Sequence, residues 1–244
     1  MFITPDFRRA RRIRFNLICT VLLCLAASQA AKADELAVWN FNDSNLNVDH
    51  GSGTLTTTIN AANVSFAAGT TNNARQGDIA GQALSLQGGT STANNGRNIT
   101  FNVSTLGFSN IVVSFATQGT STGFNLNQFQ YSLDGISFID FGSPFVPATA
   151  FGSVPLVFSL AAIAGLNDNP NATFRIVFNG ASSSTGNNRI DNIVVEGTSM
   201  DTSAVPEPTT ALLLLSGLGG LYKLKRRKVA NERAATEGRP YSCT

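Results

Sequence analysis

Residues 34–197 predict an all-β fold, a single antiparallel β-sandwich. Three features carry that expectation. The segment is rich in Asn, Ser, Thr, Gly and Phe, its apolar residues alternate over short runs, and turn residues separate those runs at close intervals. About 170 residues suffice for one sizeable core and not for two. All three cysteines, Cys19, Cys24 and Cys243, lie outside this segment, so the core has no disulfide and stands on packing.

In chain order the alternation predicts strands at Leu36 to Asn42, Leu55 to Asn60, Ala83 to Gln87, Asn98 to Val103 and Ile111 to Thr117. Five more follow at Gln128 to Leu133, Ser137 to Phe141, Leu156 to Leu160, Thr173 to Asn179 and Ile190 to Glu196. Phe129, Tyr131 and Leu133 share one face, and Asp134-Gly135 suits a two-residue type I′ turn, so residues 129–138 read as a hairpin. Ile111, Val113 and Phe115 form one apolar stripe and Phe174, Ile176 and Phe178 another, able to pack about 10 Å apart. Ala-rich Leu160 to Leu166 is the one candidate for a short helix, with a loop as the alternative. The Asn/Gly/Ser tract Ala181 to Asn188 reads as a binding loop or as a long connection, and residues 198–204 as a linker.

Charge excludes one function class. From Asp34 to Ala204 there are 11 acidic residues against 4 arginines and no lysine, a net charge of −7. Phosphate recognition needs clustered Lys or Arg, so the core does not bind nucleic acid. Catalysis is poorly provided for as well. The core has one histidine, His50, in an Asp-His-Gly-Ser-Gly segment that reads as a surface turn, and no cysteine nucleophile. Its only glutamates, Glu35 and Glu196, stand one near each end, whereas a glycosidase needs two carboxylates about 5–10 Å apart.

The N-terminus predicts export through the Sec machinery. Arg8, Arg9, Arg11, Arg12 and Arg14 form a positive n-region and Phe15 to Ala27 an apolar h-region. Ala31-Lys32-Ala33 is an A-x-A site, so residues 1–33 are a signal peptide cut before Asp34, with a competing cut near Ala30. Neither Cys19 nor Cys24 follows a small residue, which excludes a lipoprotein signal.

At the other end, Val205-Pro206-Glu207-Pro208 precedes an apolar run over 209–222 and the basic cluster Lys223, Lys225, Arg226, Arg227 and Lys228, with a polar tail over 229–244. Pro206 and Pro208 keep the preceding backbone extended. The 14-residue run makes roughly 21 Å of helix against about 30 Å of hydrocarbon. Tyr222 and the snorkelling lysine stems recover part of that deficit, and the cations stay cytoplasmic. This order over 205–228 resembles a PEP-CTERM sorting signal, Pro206-Glu207-Pro208 being its name-giving tripeptide. The resemblance implies a protein of a Gram-negative bacterium, exported across the inner membrane and recognised by exosortase. It would be held by its C-terminal transmembrane helix before processing, then reach the cell surface or extracellular matrix.

Trp39-Asn40-Phe41-Asn42-Asp43 opens the core and Arg189-Ile190-Asp191-Asn192-Ile193-Val194-Val195 closes it. This pairing resembles the first and last strands of jelly-roll, carbohydrate-binding-module-like domains. In such modules calcium often ties the terminal strands, which makes Asn42, Asp43 and Asp191 its candidate ligands by resemblance. Pairing with Arg189 or capping a turn is the favoured alternative for Asp191. No other cofactor is expected. Trp39 and Tyr131 are the available sugar platforms, though their place in strands favours the interior. The leading reading is a non-catalytic, exported surface or matrix protein. A polysaccharide-binding module is the alternative, and a secreted hydrolase the second.

Overall fold

A computed structural model of the protein describes residues 33–200. Strands β1 (Ala33–Trp39), β2 (His50–Gly51), β3 (Thr54–Thr57), β4 (Val64–Ala68), β5 (Gln82–Gln87) and β6 (Arg97–Asn102) occupy the first half. Strands β7 (Phe108–Gly119), β8 (Gln128–Ser132), β9 (Phe138–Asp140), β10 (Leu156–Ser159), β11 (Thr173–Phe178) and β12 (Asn187–Ser199) occupy the second. They form two antiparallel sheets. Sheet A runs β10-β7-β12-β1-β2, with β5 also on β12 and β4 on β5, and sheet B runs β3-β6-β11-β8-β9.

The long strand β12 organises sheet A. One of its edges pairs with β7 from Asn188 opposite Gly119 to Ser199 opposite Phe108. Its other edge is shared, residues 187–190 pairing with β5 and residues 193–198 with β1. A bulge between Asp191 and Val194 re-aims the strand where the partner changes. There Asn192 takes φ +50, a left-handed conformation that asparagine tolerates better than most residues. The expected union of the terminal strands is present, with Trp39 opposite Ile193 and Val38 opposite Val194.

Aromatic rings fill the space between the sheets. Ile111, Val113 and Phe115 of sheet A face Phe174, Ile176 and Phe178 of sheet B, all six almost wholly buried. Phe158 of β10 stacks on Phe129 of β8 at 4.1 Å between centroids and on Phe115 at 5.6 Å. The series continues through Phe174 and Phe101 to Trp39, whose ring lies 5.9 Å from Phe101. Each buried Phe contributes on the order of 1.5–3 kcal/mol through its apolar area. The densely Phe-substituted strands thus replace the disulfide that the core lacks.

Several elements differ from expectation. Strands β2 and β4 were not anticipated, because β2 is two residues long and β4 is a sheet edge with a weak burial alternation. Leu160 to Leu166 holds a 3-10 turn at Ala164–Leu166 and no α-helix. β12 reaches Ser199, so Thr198 and Ser199 belong to the sheet and not to a linker, since β7 extends far enough to pair with both. The hairpin β8-β9 is closed by five residues instead of a two-residue turn. Asp134 Oδ1 accepts from the backbone N–H groups of Ile136 and Ser137, and only Gly135 takes positive φ, +76°. Of the three residues expected on its inner face, Phe129 and Tyr131 are buried and Leu133, past the strand end, is exposed.

Ala33 and Asp34 open β1, whereas Ala31 lies outside the described residues. So do Val205, Pro206, Glu207, Pro208, the apolar run 209–222 and the basic residues Lys223, Lys225, Arg226, Arg227 and Lys228.

Candidate functional site

The strand period of two turns every second residue of sheet B away from the core, and the outward set is polar almost throughout. In register across five strands lie Thr56, Thr100, Arg175, Gln130 and Asp140, from β3, β6, β11, β8 and β9. A second row runs Thr54, Asn102, Thr173, Ser132 and Phe138, of which Thr173 and Ser132 are buried, and a third adds Asn98, Val177 and Gln128. At a strand spacing of about 4.8 Å the platform is roughly 19 Å wide.

The centre of the platform is pre-organised. Arg175 Nε donates to Gln130 Oε1 at 2.7 Å, and Gln130 Nε2 donates to Asp140 Oδ1 at 2.7 Å. The Arg175 guanidinium carbon lies 3.6 Å from the Phe138 ring centroid, a cation–π contact that helps fix its position. Partial burial lowers the pKa of Arg175, while the field of Asp140 opposes that shift. Beside this relay Asn102 Nδ2 donates to Thr173 Oγ1 at 2.9 Å. The row therefore offers planar amide and guanidinium groups and hydroxyls, with one cation balanced by one carboxylate. Such a surface can exchange hydrogen bonds with a hydroxyl-rich ligand.

The outer side of sheet A is covered instead. The loop over residues 69–81 folds across it, Asn73 Nδ2 donating to Ser114 Oγ at 3.0 Å and to the Asn192 carbonyl at 2.8 Å. Arg75 fastens the same loop to the terminal strands. Its Nη2 lies 3.0 Å from Glu196 Oε1, its Nε 3.6 Å from Glu35 Oε1, and Gln76 Nε2 donates to Glu35 Oε2 at 2.8 Å. Glu35 and Glu196, far apart in sequence, are direct cross-strand partners.

The candidate calcium ligands have other occupations. Asn42 Oδ1 accepts from the Gln82 N–H at 2.9 Å, and its Nδ2 donates to the Ile79 carbonyl. Asp43 Oδ2 accepts from Asn45 Nδ2. Asp191 is wholly buried, with Oδ2 accepting from the Thr70 N–H at 2.7 Å and Oδ1 from the N–H of Asn192. Burial is the main cause that pushes the Asp191 carboxyl up to about 7, against those two hydrogen bonds. Gly69 lacks a Cβ where one would lie 2.3 Å from the Ala80 carbonyl oxygen and 2.4 Å from Asp191 Oδ2, so the loop backbone closes onto this carboxylate only because glycine stands there. Among the described residues, no group of three or more His, Cys, Asp and Glu side chains is gathered to hold a metal.

Other sequence candidates fall elsewhere. Trp39 and Tyr131 belong to the core, at 0% and 8% exposure, and cannot serve as sugar platforms. His50 lies in β2 opposite Val38, not in a turn, and its Nε2 is 3.3 Å from Asp78 Oδ2. The tract over 181–188 is stitched to its neighbours, Gly88 N–H donating to Gly186 O, Gly89 N–H to Ser184 O and Ser182 N–H to Thr122 O. It is a connection held in place rather than an open binding loop. The sheet B platform itself was missed. Its signal was the polar half of the alternation in three neighbouring strands, legible only once their register is known.

No family model matches the chain, and no curated protein matches it. Solved structures similar to it are β-sandwich domains at low identity. Domain 4 of an extracellular arabinanase from Geobacillus stearothermophilus, in complex with arabinotriose, is 15% identical with a TM-score of 0.43, over 69% of this chain and 94% of that one. A xylan-binding domain from Paenibacillus barcinonensis is 11% identical with a TM-score of 0.43, over 70% and 98%. The K2 cleaved adhesin domain of Lys-gingipain is 8% identical with a TM-score of 0.41, over 65% and 96%.

Proposed function

We propose that this domain binds polysaccharide on the outer face of sheet B. It is the cargo of an exported, non-catalytic surface or matrix protein, for which residues 205–228 serve as the exosortase-read sorting signal. The observation that carries the binding reading is the ordered row Asp140, Gln130 and Arg175, laid across neighbouring strands and backed by Phe138. The sorting reading rests on the tripeptide, apolar run and basic cluster in that order. Against a hydrolase stands the engagement of both glutamates by Arg75, which makes them a structural clamp rather than an acid and base facing substrate.

Polysaccharide pull-down with the purified protein tests the binding. Arg175→Ala and Gln130→Ala should each lower retention by about tenfold, the loss of roughly 1.4 kcal/mol of contact, with an unchanged melting curve. Retention of no polysaccharide, or retention indifferent to both substitutions, removes the proposal. Fractionation with a tag inside the core, before and after replacement of Pro206-Glu207-Pro208, tests the address. A calcium ion on Asn42, Asp43 and Asp191 would act only as a stabiliser, and a chelator that leaves Tm unchanged would dismiss it.

A further inference from the structure

Neutral sugars bind largely by laying their apolar C–H faces on open aromatic rings. The sheet B platform is poorly made for that. Phe138 is the one ring in its three outward rows, and the Arg175 guanidinium already lies over it at 3.6 Å, while Trp39 and Tyr131 are in the core. What the platform does offer is a free charged fork. Arg175 Nε donates to Gln130 Oε1, whereas Nη1 and Nη2 have no hydrogen-bond or ion-pair partner among the described residues. Asp140 does not pair with the guanidinium directly, because Gln130 stands between them and donates through Nε2 to Asp140 Oδ1. The other arginines of the core are engaged. Arg75 clamps two glutamates, Arg97 donates to the carbonyls of Ala93 and Thr58, and Arg189 donates to that of Ala68.

We propose that the polymer held on sheet B is acidic: a uronic-acid polysaccharide whose carboxylate takes the Nη1 and Nη2 edge of Arg175. The inference rests on sheet B being the binding face. Two parallel N–H groups on that edge match the two oxygens of a carboxylate, and charge-assisted pairs of this kind are roughly twice as strong as neutral hydrogen bonds. Thr100 and Gln130, opposite Arg175 on β6 and β8, flank the fork with groups that take ring hydroxyls. The net charge of −7 does not oppose this, because most of the acids are placed elsewhere. Asp34, Glu35, Asp191 and Glu196 lie on strands of sheet A and Asp78 in the loop across it. The strands of sheet B carry two arginines, Arg97 and Arg175, against one acid, Asp140. Packed sheets stand about 10 Å apart, beyond the Debye length of about 8 Å at physiological salt, so exposed acids on the far side are largely screened.

Purified full-length protein on a support tests this with polygalacturonate and with the same polymer methyl-esterified, which keeps the backbone and removes the charge. Wild type should retain the acid form about tenfold more strongly than the ester at about 0.15 M salt, and about 1 M salt should erase most of that difference. Arg175→Gln should lower retention of the acid form about tenfold and that of the ester by less than about twofold. Asp140→Asn, whose Oδ1 still accepts from Gln130, should raise retention of the acid form several-fold by removing a like charge. Loss of the fold cannot produce such a gain. Equal retention of acid and ester would overturn this inference and leave the sheet B reading in place. Retention of neither form, nor of any neutral polysaccharide, would end both. Dextran sulfate held as well as polygalacturonate would overturn the carboxylate assignment, as would acid-form retention indifferent to both substitutions.

Discussion

Asp191 shows how one residue can couple this fold to pH. Its carboxyl is buried with no cationic partner among the described residues, and two backbone N–H groups only partly offset the loss of water. The folded state therefore holds its proton up to about pH 7, whereas the unfolded chain releases it near 3.8. Between those values the native state binds more protons, so stability falls as pH rises through the window and levels off above it. The full span is on the order of 4 kcal/mol. Urea midpoints at pH 4.5 and 7.5 should differ in that direction, and Asp191→Asn should shrink the difference. Asp134 acts in the opposite sense. Backbone N–H groups of Ser137 and Ile136 and the Ser132 hydroxyl hold its carboxyl well below the usual range, so its contribution is lost only in strong acid.

Among the elements, the loop over 69–81 depends on contacts between residues remote in sequence. Arg75 bridges two glutamates that β pairing places directly opposite each other, where like charges destabilise. Arg75→Ala should lower stability by about 1–2 kcal/mol, the partial exposure of all three side chains keeping the effect modest. Adding Glu35→Gln should recover part of that loss, as read from the melting temperature of the double variant. A full loss that persists in the double variant would place the role of Arg75 in packing rather than charge. The hairpin β8-β9 teaches a related lesson. Asp-Gly was a sound turn signal, but Asp134 uses its side chain as a local acceptor, and this competes with the tight turn that the dipeptide alone suggests.

In the molecule as a whole, stability rests on the rings between the sheets, since the core has neither disulfide nor a described metal cluster. Phe174→Ala should cost about 3–5 kcal/mol, because Phe101 and Phe129 pack on either side and limit collapse of the cavity. Ser182→Ala or Ser184→Ala, at exposed sites of the 181–188 connection, should stay within roughly 0.5 kcal/mol. Comparable denaturation midpoints for the two classes would contradict the assigned inner face. The fold class was legible because a sandwich writes its inward faces as period-two stripes, and those at 111–115 and 174–178 are unbroken. Weakly patterned edges such as β4 left little trace, and β2 is too short to carry a period.

The sequence by itself determined the all-β class, most strand positions, the inward phenylalanines, the acidic lysine-free core and the expected address at each end, for these reside in local periodicity and composition. Tertiary structure decided which outward residues become one surface and which charges meet. Gln130 and Arg175 are 45 residues apart, and Arg75 and Glu196 are 121 apart. Strand register sets such juxtapositions, and register is fixed by packing of the opposite face. The polar residues of the candidate site are thus placed by the apolar residues behind them.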